Sequence, residues 1–70
     1  MRVIFTLHAL EKMERREIFE EEVFQVIRYP EKIKKRYGLY YFQKKLQRGL
    51  LEVCCERTAS YINIITLYWI

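Results

Sequence analysis

His8, Arg16, Lys44 and Tyr68 are the residues whose types could carry out chemistry together. An imidazole moves a proton, two cations offset charge on a phosphate, and a phenol orients or donates. Such a set suits RNA cleavage by attack of the 2′-hydroxyl on the neighbouring phosphate, a reaction that needs proton transfer and charge stabilisation but no metal. His8 falls in what reads as the first turn of a helix, where unpaired backbone N–H groups and the helix dipole favour a phosphate. A plainer reading stands beside this one. A lone histidine there is often a surface residue, and Arg15 and Arg16 would suit the negative end of a helix whatever they bind.

Other chemistries find no foothold. One histidine cannot build a zinc site, and Cys54 and Cys55, adjacent in sequence, offer neither a metal quartet nor a disulfide framework. Phosphate-binding glycine loops, dinucleotide fingerprints and nucleophile elbows are absent from the sequence. No metal and no cofactor is therefore expected. Two unpaired cysteines and the lack of a secretory leader fit a reducing, cytoplasmic setting. The longest apolar tract, residues 61–70, is about half of what a spanning helix needs, so no membrane association is expected.

The net charge of +4 is concentrated in the middle of the chain. Residues 28–48 hold eight basic groups against Glu31 alone, with tyrosines and Phe42 between them. That pattern points to a polyanion, RNA being the expected partner: Lys34, Lys35, Arg36, Lys45 and Arg48 would hold the backbone. Tyr40 and Tyr41 alternate in direction, so one of them at most stacks on a base, and Tyr40 is assigned to that role. The bland alternative is a solvated strand whose lysines guard a sheet edge.

These residues need elements to hold them. A chain of 70 residues, 51% hydrophobic, makes one domain with a small core. Thr6 precedes Leu7, Leu10 and Met13, which predicts a helix over about 6–16 with Thr6 as its N-cap. Glu20, Glu21 and Glu22 open a second, over about 20–28, with Phe19, Val23, Val26 and Ile27 as its apolar stripe and Pro30 as its stop. Beyond Pro30 the period changes to that of strands, near 32–36, 39–46, 50–57 and 61–69, joined at Gly38, Gly49 and the 58–60 stretch. The expected fold is α+β, two N-terminal helices packed on one face of a four-stranded antiparallel sheet. In the last strand Ile65, Leu67 and Trp69 alternate with Ile62, Ile64, Tyr68 and Ile70, which predicts a second apolar face in need of cover.

The segment Phe5-Thr6-Leu7-His8-Ala9-Leu10-Glu11-Lys12-Met13-Glu14-Arg15-Arg16-Glu17-Ile18, with Glu21-Glu22-Val23, Tyr29-Pro30 and Ile64-Ile65-Thr66-Leu67-Tyr68, resembles an uncharacterised family of small prokaryotic domains. Their pattern opens F-x-x-H-A-x-x-R-M-x-x-R-x-I. The order of elements is also similar to RelE-like and BrnT-like toxins, whose wider group, with barnase, EndoU and colicin, cleaves RNA without metal. The resemblance marks His8, Met13, Arg16, Ile18, Val23, Thr66 and Tyr68. Departures are Lys12 for arginine, Phe19 for a capping serine, and Glu17 where a turn glycine is frequent.

The leading expectation is a toxin-like, metal-independent endoribonuclease with an antitoxin as its protein partner. The alternative is a non-catalytic nucleic-acid-binding or protein-interaction module, a homodimer through Ile62, Ile64 and Ile70. The abundance of Glu, Lys, Arg, Ile and Tyr, with a single Asn and three Gln, also resembles thermophile proteins.

Overall fold

A computed structural model describes residues 2–70. Its elements run β1 (Arg2–Phe5), α1 (Leu7–Arg16), α2 (Glu20–Arg28), β2 (Lys32–Arg36), β3 (Leu39–Leu46), β4 (Gly49–Arg57) and β5 (Tyr61–Trp69).

The helices start and stop for local reasons. Thr6 Oγ1 accepts from the Ala9 N–H at 3.0 Å and donates to the Ile64 carbonyl at 2.9 Å, capping α1 and tying it to the sheet. At the other end Glu17 takes φ 53°, the left-handed conformation usual for glycine. The Glu17 N–H then reaches the Glu14 carbonyl and the Ile18 N–H the Met13 carbonyl, at 3.3 and 2.8 Å, which satisfies the last turn and buries Ile18. Phe19 has no side-chain acceptor for α2; instead Glu22 Oε1 reaches back to accept from the Phe19 N–H at 3.0 Å.

The sheet corrects the four-stranded antiparallel expectation. It has five strands in the order β1-β5-β4-β3-β2, and its β1–β5 pair is parallel. β1 is only four residues long, too short for a period to stand out. Its direction follows from the chain leaving β1 straight into α1, which packs back over β5. The other four strands form an antiparallel meander. β2 and β3 meet at Tyr37 and Gly38, with φ 53° and 78°, a two-residue turn of the type that matches strand twist.

β5 corrects a second expectation. Cys55 pairs with Ile64 and Cys54 with Thr66, so Ile65 is an extra residue, a β-bulge. The bulge shifts the alternation by one, which turns Ile62 and Ile64 to the same side as Leu67 and Trp69. All four then belong to the core or pack against it. The apolar second face therefore does not exist, and Ile62 and Ile64 are buried on the helical side of the sheet; of the proposed dimer residues only Ile70 stays exposed. Thr6 Oγ1 contacts both the Ile64 and Ile65 carbonyls, so the α1 cap also holds the bulge.

Helices cover one face of the sheet. Ala9, Met13, Ile18, Val23 and Val26 from that layer meet Phe42, Leu51, Val53, Cys55, Ile64 and Leu67. The opposite face is open.

Candidate functional site

Strand alternation decides which side chains reach the open face. The register places Lys32, Gln43, Glu52 and Tyr68 in one row across four strands, and Lys34, Tyr41, Cys54 and Thr66 in the next. Arg36 continues the first edge of this arrangement. A hollow of about 290 Å³ lies there, lined by Lys34, Arg36, Tyr41, Glu52 and Tyr68.

Glu52 stands at its centre, on the middle strand, and is only 8% exposed. A buried carboxylate needs partners to stay charged. Gln43 Nε2 donates to Oε1 at 2.5 Å, and the Tyr68 hydroxyl donates to Oε2. Two lone-pair directions on the carboxylate remain for a ligand. The bond to Glu52, aided by burial, pushes the Tyr68 phenol up to about 12, so it is a neutral donor near pH 7. Tyr41 is shifted up chiefly by its bond with Cys54, and the Cys54 thiol is shifted up by burial. Cys55, beneath the helices, is pushed up to about 12 by burial. Both thiols are thus protonated and poor nucleophiles.

The rim is cationic. Among the described residues the one ion pair joins Arg48 to Glu22, so Lys34 and Arg36 have no carboxylate within 4.0 Å. A protonatable carboxylate beside two free cations and two phenols can take a proton from a hydroxyl and hold an anion next to it.

The four residues expected to be catalytic do not converge. Tyr68 is in the hollow, but Lys44 points to the helical side, where its ammonium donates to the Tyr29 carbonyl at 3.0 Å. Arg16 donates to the Leu67 carbonyl at 3.0 Å, and the Trp69 indole N–H donates back to the Arg16 carbonyl at 3.3 Å, pinning the end of α1 to β5. His8 is exposed on α1 and has no hydrogen-bond partner among the described residues.

The expected RNA-binding residues also divide. Lys34, Arg36 and Lys45 lie on the open face. Lys35 and Tyr40 alternate to the helical side, with the Lys35 ammonium 5.4 Å from the Tyr40 ring and that ring stacked on Phe42. Tyr41, not Tyr40, is therefore the aromatic beside Lys34 and Arg36 on the open face. Arg48 is held by Glu22 in a two-pronged pair of 2.7 and 3.0 Å, by the Glu17 carbonyl, and by the Phe19 and Trp69 rings. Glu52 and Gln43 were not anticipated. The available signal was an acidic residue amid Leu51, Val53, Cys54 and Cys55 in a strand otherwise apolar at its centre.

A family profile described as Domain of unknown function (DUF4258) matches residues 5–69. The chain belongs to this DUF4258 family. No curated protein and no solved structure matches it. In this DUF4258 domain the match takes in both helices, the hollow and all five residues that line it.

Proposed function

We propose that the protein is a metal-independent endoribonuclease whose reaction centre is the open-face hollow around Glu52. The observation that carries this reading is a buried, doubly hydrogen-bonded carboxylate flanked by Lys34 and Arg36, two cations without acidic partners. Lys34 and Arg36 hold the scissile phosphate. Glu52 takes the proton of the 2′-hydroxyl as its oxygen attacks phosphorus and the bond to the 5′-oxygen breaks. The 5′-oxygen leaves with a proton from Lys34, because an arginine does not release one. Tyr68 and Gln43 orient Glu52, and Tyr41 offers a ring against a base. His8, Arg16 and Lys44 have no part in the reaction.

The test is a labelled structured RNA incubated with the pure protein in EDTA, followed for 2′,3′-cyclic phosphate ends. Wild type is expected to cut, Glu52→Gln to lose about 10²-fold or more in rate, as for a general base, and His8→Ala to stay within about two-fold of wild type. An uncut RNA, or equal cutting by Glu52→Gln, overturns the reading. A second reading is favoured by the fully exposed basic strand β2: the same face binds RNA without cleaving it. RNA retarded but intact would select that one. If the molecule acts as a toxin, as the resemblance of its motif implies, this basic face is also the surface an acidic antitoxin segment would cover.

A further inference from the structure

The helical layer leaves part of its own side of the sheet uncovered. α1 lies over β5 and β1, α2 over β3 and β4. Beside the C-terminal end of α2 a cavity of about 560 Å³ remains, on the opposite side of the sheet from Glu52. Its lining runs from Val3 on one edge strand through Ile62 and Phe42 to Ile33 on the other. Phe24, Ile27 and Pro30 line this trough from the helical side, and Ile33, 52% exposed, stands at its mouth.

Two guanidinium groups interrupt the apolar lining. Arg28 lies 5.5 Å from the Phe24 ring and Arg57 6.0 Å from the Tyr40 ring. No carboxylate among the described residues is within 4.0 Å of either. A small inorganic anion would leave the apolar floor unused, whereas a neutral hydrocarbon would leave both cations unanswered. A folded protein partner needs about 800 Å² of surface on each side, far more than a trough of this size presents. Its volume falls instead among pockets for small molecules, about 300–1,000 Å³.

The geometry points to a ligand site for a small amphipathic carboxylate, its apolar tail laid along Val3, Ile62 and Phe42 and its head group between Arg28 and Arg57. Guanidinium forks match a carboxylate in two-pronged geometry, and the apolar side chains between them answer a hydrocarbon tail. Nothing in this site depends on the chemistry of the opposite face.

Sodium decanoate, kept below its micelle concentration, is the probe. Calorimetric titration of the full-length protein is expected to give one saturable site, with backbone amide shifts centred on Val3, Phe42 and Ile62. The double variant Arg28→Gln/Arg57→Gln should bind at least ten-fold more weakly, and decanol should show the same loss on wild type. Ile33→Glu, which sets a carboxylate at the mouth, should abolish binding. All three positions are exposed, and circular dichroism checks that the variants fold. Non-saturable uptake, unchanged affinity in the double variant, or shifts centred on Glu52 would each overturn the assignment. So would an acidic, apolar peptide that binds the trough where decanoate does not.

Discussion

Burying a carboxylate in the middle of a sheet costs free energy unless its oxygens find donors, and Glu52 has one on each oxygen. The Tyr68 bond works in both directions. It supports the charged Glu52, and it raises the phenol above its ordinary 10.0 to about 12. Because the folded state then holds the phenolic proton more tightly than the unfolded chain, this contribution is fully present below pH 10 and is lost as pH climbs toward 12. Tyr68→Phe is therefore expected to lower stability at pH 8 by about 1–2 kcal/mol and to flatten the loss between pH 10 and 12, both measured by urea unfolding across that range. An unchanged alkaline slope would show that the phenol does not titrate against Glu52. Tyr68 was legible as a chemical residue because its motif and type marked it. Glu52 was not, since its importance comes from two neighbours, 9 and 16 residues away, that only strand register brings to it. Lys44 and Tyr40 lie on the helical side, away from Lys34, Arg36 and Tyr41, because alternation separates adjacent residues, while the sequence does not say which of the two takes the open face.

Turns and caps tie the elements together, and two of them rest on Glu17 and Arg48. Glu17 ends α1 in a left-handed conformation that costs a residue with a Cβ about 1 kcal/mol, and it is the Glu17 carbonyl, which any residue supplies, that accepts from Arg48. Glu17→Gly should raise stability by about 0.5–1 kcal/mol, seen as a higher urea midpoint. Arg48 then clasps the β3–β4 turn to the start of α2 through Glu22, whose carboxyl is held below its ordinary 4.5 by that contact. Arg48→Ala is expected to cost about 1–2 kcal/mol, from the rings and the Glu17 carbonyl as much as from the exposed ion pair, while leaving RNA affinity within two-fold. Lysine at this position should recover less than half, because it lacks the fork. A large fall in RNA affinity with stability unchanged would return Arg48 to the RNA-binding surface. At this scale helix limits were readable from Thr6, the three glutamates and Pro30. β1 was hidden by its brevity, and the trace of the bulge at Ile65 was slight: two adjacent isoleucines between Asn63 and Thr66, whose three-residue spacing breaks the strict period of two.

At the scale of the molecule, one sheet separates two environments. Its covered side holds the core, the structural cations Arg16, Lys44 and Arg48, and the trough; its open side holds Glu52 and the unpaired cations Arg2, Lys32, Lys34, Arg36 and Lys45. The charge excess between residues 28 and 48 is thus divided between faces rather than presented as one patch. Binding to single-stranded RNA by the open side releases counterions from at most those five contacts, so log K should fall against log salt with a slope no steeper than about −3.5, at ~0.7 per phosphate. Neutralising Lys34 and Arg36 together should flatten it by about 1.4. Substituting Arg16, Lys44 and Arg48 should leave the slope unchanged even where it lowers stability. Fluorescence anisotropy from 50 to 300 mM KCl separates these outcomes. A slope that responds equally to both sets would mean that RNA wraps the whole molecule, and one that responds only to the second set would move the binding surface to the helices. Because neutral substitutions on the open side disturb no ion pair among the described residues, a change in slope there reports contact with phosphate rather than a loosened fold.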